Sequence, residues 1–383
     1  MKRMAVTLLA LVLVMGMLPV TAGALELDVA GKGAVLMDMT TGTVLYEKNP
    51  HERLSPASVT KVMTMLLIME AIDSGRIGWD DTVTASETAA AKGGSQIYLK
   101  VGETMTVRDL VKSIAVSSAN DAACAMAEHI AGSESAFVSL MNQRAKELGM
   151  NDTNFVNCTG LDDAEEAKAH LTSAYDIAVM SRELLKNHPD ITKFTTIWMD
   201  SVRNGTFGLS NTNKLVRFYE GCTGLKTGYT SGAGFCLSAS AQREGLTLIA
   251  VVLGGETSQA RFSACKSMLD YGFANFALVA PETPQDAVVP VTLGTAAGVA
   301  AVPGEEISLL IDKAQRNQVS VSVELEPEVT APVSKGQRLG TMTVKAGEQV
   351  LKQIPMVAAE PVPRLTFGEI FWRILGRIAM TKA

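Results

Sequence analysis

Three short stretches hold residue types that could do covalent chemistry. In Ser58-Val59-Thr60-Lys61 a hydroxyl and an amine stand at i and i+3, on one face of a helix. A serine hydroxyl is a weak nucleophile until a base takes its proton, and a lysine serves as that base only if burial or a second cation lowers its pKa. The same serine, just after Pro56, also suits a helix start as a cap. Ser118-Ala119-Asn120, within AVSSANDAACAM, offers a hydroxyl for proton relay and an amide to hold a carbonyl, or simply another cap. Lys226-Thr227-Gly228, within GLKTGYTSGAGFCLSASA, offers a cation beside the nucleophile, a hydroxyl that can donate to a carboxylate, and a glycine that lets a strand approach a ligand closely. Its plain alternative is a polar strand start. Each stretch alone is ordinary. In this order they supply the relay, the second cation and the clamp that a Ser-Lys pair lacks.

The elements that must position these residues are partly visible. AVLMDM (34–39), the turn TTG and TVLYEK (43–48) read as a hairpin of two apolar strands. Residues 58–73 read as a helix, with Pro56 near its start, Val62, Met65, Leu66 and Met69 on one face, and Gly75 at its end. Helical patterns follow over 107–116, 119–131, 133–148 and 173–186. GFCLSASA (234–241) and LTLIAVVLGG (246–255) read as buried central strands just after the Lys-Thr-Gly stretch, and 258–271 as a further helix. A hairpin, a helical insert and more sheet make an α+β sandwich. From Pro281 the texture turns to short alternating strands broken by Gly and Pro: VVPVTLG, GEEISLLID, VSVSVELEP, GQRLGTMTV and EQVLKQIPMV. That is a small all-β domain without a cluster of catalytic residue types.

SxxK, SxN and KTG in this order are the signature of penicillin-binding proteins and class A β-lactamases. With PASVTKVMT, GSQIYLKVGE, SSANDAA, MNDTNFVNCTGLD, GLKTGYTSGAGF and APVSKGQRLGTMTV, the chain from about Gly33 onward resembles low-molecular-mass penicillin-binding proteins of the serine D-alanyl-D-alanine carboxypeptidase type, the peptidase S11 family. The resemblance implies an α+β fold. A penicillin-binding/β-lactamase-like transpeptidase domain, an antiparallel sheet with a helical subdomain, would occupy 25–279, a small β-sandwich domain 280–360, and an amphipathic membrane-anchoring helix 361–383. It implies Ser58 as acylated nucleophile, Lys61 as its base, Ser118 and Lys226 as proton relay, and Asn120, Lys226, Thr227 and Gly228 as substrate contacts. The backbone N–H groups of Ser58 and Tyr229 would form the oxyanion hole, and Arg261, in GGETSQARF, would help bind the substrate's terminal carboxylate. The plainer reading of Arg261 is a surface helix arginine. The implied partners are peptidoglycan stem peptides, with β-lactam antibiotics as covalent inhibitors; no metal or organic cofactor is implied.

Three positions depart from the family pattern. Ala119 stands where many relatives have glycine, Tyr229 replaces a histidine that some carry after KTG, and GLDDAEEAKAHLTSA is richer in Ala and Glu than the family's loop there. A class A β-lactamase would need a deacylating glutamate, usually in an ExxLN setting. Glu183-Leu184-Leu185-Lys186-Asn187 has lysine where leucine belongs and reads as a solvated helix face, so β-lactams are expected to inhibit rather than turn over. A D,D-endopeptidase would share the acyl chemistry, but the family trend gives the carboxypeptidase role to members with the extra β-domain and tail. A non-catalytic wall-binding protein would have no reason to keep Ser58, Lys61 and Lys226 together.

The whole chain sets further bounds. At 383 residues, 47% apolar and 19% charged, it suits two domains, and a net charge of -6 gives no overall basic field for nucleic acid. Lys2 and Arg3, the apolar run 4–20 and Ala22-Gly23-Ala24 read as a secretory signal over 1–24, with an uncleaved anchor as the alternative. The expected location is the outer face of a bacterial cytoplasmic membrane. Five scattered cysteines without a CxxC pair read as core residues with room for one disulfide, and four histidines, His51, His129, His170 and His188, leave little for a histidine-based metal site or triad. In the tail RLTFGEIFWRILGRIAMTKA, Phe367, Ile370, Phe371, Ile374, Leu375 and Ile378 fall at helical spacing opposite Arg373 and Arg377. With Trp372 this reads as a basic amphipathic helix lying on an anionic membrane, or else packing onto the β-domain.

Overall fold

A computed structural model describes residues 27, 29–282, 287–305 and 307–380, with side chains through Leu375. The expected signal segment lies outside the described residues, as do the side chains of Arg377 and Ile378. The first domain is built on a five-stranded sheet of β1 (Gly33–Asp38), β2 (Val44–Lys48), β3 (Cys222–Thr230), β4 (Gly234–Arg243) and β5 (Leu246–Gly255). The order is β2-β1-β5-β4-β3 with every neighbouring pair antiparallel. β3 is therefore an edge strand. Lys226, Thr227 and Gly228 lie in its interior rather than before a strand, because Cys222 to Thr230 pairs with β4 along its whole length.

Side chains alternate along the central strands, and both faces are covered. Val35 and Met37 join Ile249, Val251 and Leu253 in one core, while Ala34 and Leu36 join Leu248, Ala250 and Val252 in another. That double burial explains why the strands read as unbroken apolar runs. The first core is roofed by α1 (Lys61–Asp73), α2 (Val107–Ser117), α3 (Asn120–Ala131), α4 (Glu134–Glu147) and α5 (Ala174–Asn187). The second is covered by α6 (Ser258–Asn275) through Phe262, Cys265, Met268 and Leu269. Side chains of Thr106, Ser133, Ser173 and Thr257 accept backbone N–H groups at the starts of α2, α4, α5 and α6, which fixes where these helices begin.

α1 differs from its expectation in two ways. It is buried all round, with Met63, Leu67 and Ile68 as enclosed as the face expected to be apolar, so it is the central helix of the domain. It also begins at Lys61, after a 3₁₀ turn over Ala57–Thr60 that carries Ser58.

After β6 (Phe276–Val279) the second domain forms a six-stranded sheet from β7 (Val288–Thr292), β8 (Gly298–Pro303), β10 (Val319–Leu325), β11 (Arg338–Ala346), β12 (Gln349–Ala358) and the short Val329–Thr330. β9 (Leu309–Asp312), from the GEEISLLID run, does not join that sheet: it pairs with β6 of the preceding domain. α7 (Phe367–Met380) starts in a reciprocal cap, Thr366 N–H to Glu369 Oε2 at 2.7 Å and Glu369 N–H to Thr366 Oγ1 at 3.4 Å. Arg373 donates to the Thr295 carbonyl at 2.9 Å, and Phe367, Phe371, Trp372 and Ile374 are exposed. No helix among the described residues is long and apolar enough to cross a membrane.

Candidate active site

The Ala57–Thr60 turn is gripped from two sides by positions that admit only glycine. A Cβ at Gly228 would stand 2.5 Å from the Pro56 carbonyl oxygen and 3.1 Å from Ser58 N, and one at Gly160 would stand 1.8 Å from the Ala57 oxygen. The edge strand and the loop after Cys158 thus approach the serine backbone to backbone. Ser58 makes no capping bond, and its Oγ instead accepts from Lys61 Nζ at 3.0 Å. Lys61 is fully buried, and its ammonium also donates to the Thr159 carbonyl at 2.8 Å. Burial lowers its pKa to about 7, with the Asp121 carboxylate partly offsetting the shift. A lysine in that range is neutral often enough to take a proton from a serine.

Lys226 is buried as well, donating to the Thr227 carbonyl at 2.8 Å. Burial first, then the Lys61 and Arg261 cations, hold it well below the usual lysine range. Thr227 Oγ1 donates to Thr212 Oγ1 at 2.6 Å, and Thr212 N–H donates to the Val116 carbonyl at 3.2 Å, which ties the edge strand to the end of α2. Ser118 follows there with φ 62, buried, as the left-handed cap just past the C-terminus of α2 rather than a cap for α3. Asn120 opens α3: its N–H donates to the Ser95 carbonyl at 2.7 Å, its Nδ2 to the Gly93 carbonyl at 2.8 Å, and its buried Oδ1 has no partner. An orphaned acceptor in a buried amide suits a ligand's N–H.

Tyr229 is 56% exposed and stacks on Phe235 with centroids 4.3 Å apart. Arg261 is not on the surface: Nη1 donates to the carbonyls of Gly228 (2.7 Å) and Cys236 (3.1 Å), with the Phe235 and Phe262 rings beside its guanidinium. Glu183 is half-buried on its helix face. Its carboxylate accepts from Arg144 at 2.6 Å, in a network that includes Glu70. The cysteines are all free thiols; Cys124 and Cys158 flank the Glu134 carboxylate.

Several supporting residues had no role assigned from sequence. Thr159 supplies the carbonyl that holds Lys61, and Asn157 Oδ1 fixes that turn by accepting from Thr159 N (3.1 Å) and Gly160 N (2.6 Å). The Asn-Cys-Thr-Gly string is a turn signal that would have found Asn157 and Gly160. Asp121 receives the N–H groups of Ile97 and Leu99, pinning the loop that crosses Asn120. Nothing local to Asp121 or Thr212 announces these contacts.

A hydroxyl on a lysine of depressed pKa, a second buried cation and an edge strand beside them define a serine acyl-transfer site. Residues 20–257 match the model of the D-alanyl-D-alanine carboxypeptidase family, peptidase S11, and residues 283–364 match the C-terminal domain of penicillin-binding protein 5. The chain is 44% identical to D-alanyl-D-alanine carboxypeptidase DacF of Bacillus subtilis, across 92% of this chain and 90% of that one. Among solved structures, penicillin-binding protein 5 of Haemophilus influenzae superposes with a TM-score of 0.74 at 30% identity, covering 88% of this chain and 98% of its own. Penicillin-binding protein D2 of Listeria monocytogenes, in its ampicillin-bound form, gives 0.57 at 31%, covering 65% and 99%. The chain belongs to the peptidase S11 family of D-alanyl-D-alanine carboxypeptidases.

Proposed function

We propose that the protein is a serine carboxypeptidase that removes the terminal D-alanine from peptidoglycan pentapeptide stems. The observation that carries this reading is the buried Lys61 amine at 3.0 Å from Ser58 Oγ with a pKa near 7. Ser58 Oγ attacks the carbonyl carbon of the penultimate D-alanine as its proton passes to Lys61 Nζ. The oxyanion is held by the backbone N–H groups of Ser58 and Tyr229. The C–N bond then breaks, and D-alanine leaves as its amine takes a proton through Lys61 or the Ser118 and Lys226 pair. Water next attacks the Ser58 ester, giving its proton to the same groups, and the shortened stem departs. Asn120 Oδ1 accepts a substrate N–H, the Thr227 hydroxyl turns its proton from Thr212 to the terminal carboxylate, and Lys226 and Arg261 add positive charge on that side. The stem lies along the open edge of β3.

β-Lactams acylate Ser58 and are released slowly, because the one candidate deacylating glutamate, Glu183, is engaged by Arg144. The Listeria relative in its ampicillin-bound form supports this part of the reading. The protein is exported by its N-terminal signal and works in the cell wall space, with α7 lying on the membrane surface; the exposed Phe367, Phe371 and Trp372 support that placement.

The purified protein, incubated with diacetyl-Lys-D-Ala-D-Ala and separately with a cross-linked muropeptide dimer, should release D-alanine from the first only. Cleavage of the dimer alone would make it an endopeptidase, and full activity in Ser58→Ala would remove the assigned nucleophile. Deleting residues 365–383 should move the protein to the soluble fraction of cells; persistent membrane association of that variant, with the signal cleaved, would rule out α7 as the anchor.

A further inference from the structure

Beneath the nucleophile turn lies a histidine that the acyl-transfer scheme does not use. His170 is 2% exposed, edge-on to the Phe155 ring with centroids 5.6 Å apart. Val156 N–H donates to its Nδ1 at 3.1 Å, so the ring proton sits on Nε2. Nε2 is 2.8 Å from Thr60 Oγ1, and Thr60 Oγ1 donates to the Ala57 carbonyl at 2.8 Å. With its own proton committed to Ala57, the Thr60 oxygen accepts from His170. The direction of all three bonds is then fixed: Val156 to His170, His170 to Thr60, Thr60 to Ala57.

The far end of this relay matters most. The Ala57 carbonyl belongs to the same planar peptide unit as the Ser58 N–H, and in a trans peptide the two point in opposite directions. A bond that pins the oxygen therefore aims the N–H. The unit needs pinning, because Ala57 holds φ 48, a left-handed conformation that an alanine keeps only where its surroundings enforce it.

We propose that His170 is a positioning residue for the oxyanion hole, acting through Thr60 to orient the Ala57–Ser58 peptide; this rests on the reading that Ser58 N–H is an oxyanion donor. Burial and the charge of Lys61 hold the imidazole pKa at about 4, which keeps it neutral and Nδ1 an acceptor through the neutral range. The relay also polarises the peptide it ends on, since each bond in such a chain strengthens the next.

The test is single-turnover acylation by a fluorescent penicillin, together with the ester carbonyl stretch of the acyl-enzyme in the infrared. His170→Ala should slow acylation by about 10–100-fold, short of the ~10²–10³-fold that follows loss of a whole oxyanion donor, with little change in initial binding. The ester stretch should move to higher frequency, as a weaker oxyanion hole requires. His170→Gln, which keeps a donor near the Nε2 position, should recover most of the rate. Thr60→Val, which preserves volume, should lose as much as His170→Ala, and the double variant should lose no more than either. An unmoved stretch, wild-type acylation by either folded single variant, or losses that multiply would overturn the proposal. If His170→Ala does not fold, Thr60→Val and its ester stretch decide the matter. Ser58→Ala run alongside separates the two readings: labelling of that variant would defeat the nucleophile assignment, whereas an unlabelled Ser58→Ala beside a fully active Thr60→Val defeats only the role of the relay.

Discussion

The peptidase domain buries Lys61, Lys226 and Arg261 together with more than a dozen other polar side chains, whereas past Arg261 no polar side chain among the described residues is buried. The β-domain core is Val289, Val299, Leu339, Met342, Val344, Ile354 and Met356 with their apolar neighbours. These three buried basic side chains donate to carbonyl oxygens, those of Thr159, Thr227, Gly228 and Cys236, and not to carboxylates. A buried cation without a paired carboxylate costs stability, and a fold keeps it where chemistry needs a depressed pKa. Among its described residues the β-domain carries no such groups, so its stability and the enzyme's rate should respond to different substitutions.

The largest separation should come from Lys61→Met. It removes the base but keeps an unbranched apolar stem in a well-packed site, so acylation by penicillin should fall by roughly 10³-fold or more while the melting temperature at pH 7 holds or rises. A large fall in melting temperature would show that Lys61 contributes to stability, contrary to the contrast between the domains. Next is Gly228→Ala. The new Cβ would meet the Pro56 oxygen at 2.5 Å, backbone against backbone, so the edge strand and the serine turn must part. A displacement near 1 Å typically costs about 10²-fold in rate, and single-turnover acylation should show it; a loss under threefold would mean the cleft tolerates widening.

A smaller effect follows from pH. If neutral Lys61 is the base, acylation should rise about tenfold per pH unit below its pKa of about 7 and flatten above it. The same shift has a stability consequence. Lys61 titrates near 7 when folded and near 10.5 when unfolded, so between those values the unfolded chain binds more protons and stability rises with pH. The buried thiols of Cys222 and Cys236, pushed up to about 11, oppose this above about pH 9. The melting-temperature difference between wild type and Lys61→Met, followed from pH 7 to 9, isolates the lysine: it should shift in favour of wild type as pH rises. A difference that stays flat would place the folded Lys61 pKa above about 9, close to its unfolded value.

The same contrast explains what could be read from the chain. Ser58, Lys61, Asn120 and Lys226 were legible because three stretches that are ordinary alone follow one another in one order, and the hairpin and central strands because apolar runs are unambiguous. The wider burial of α1 was not, since Met63, Leu67 and Ile68 extend an apolar face only once helices surround it on every side. Nor was the position of the Lys-Thr-Gly stretch inside β3, whose polar Lys226 and Thr227 are buried by elements distant in sequence. Thr159 and His170 meet Lys61 and Thr60 across roughly a hundred residues of chain, and no periodicity encodes such contacts. In the β-domain the alternating strands were plain, but β9 left for β6 because its partner was chosen by the junction and not by its own pattern.

That junction sets up the smallest expected effect on the rate. β6 and β9 pair between the domains, Lys313 donates to the Phe273 carbonyl at 3.1 Å, and Arg316 meets Glu244 at 3.2 Å. These contacts lie behind the sheet, against α6, and touch none of the residues around Ser58. Leu339→Ala, in the fully buried heart of the β-domain, should cost about 2–5 kcal/mol and bring forward the unfolding of that domain in calorimetry. Penicillin acylation below that transition should stay within about twofold of wild type, because the cavity opens in a core that holds no catalytic group. If acylation falls in step with the loss of stability, the β6–β9 pair transmits strain to the catalytic sheet, and the two domains act as one unit.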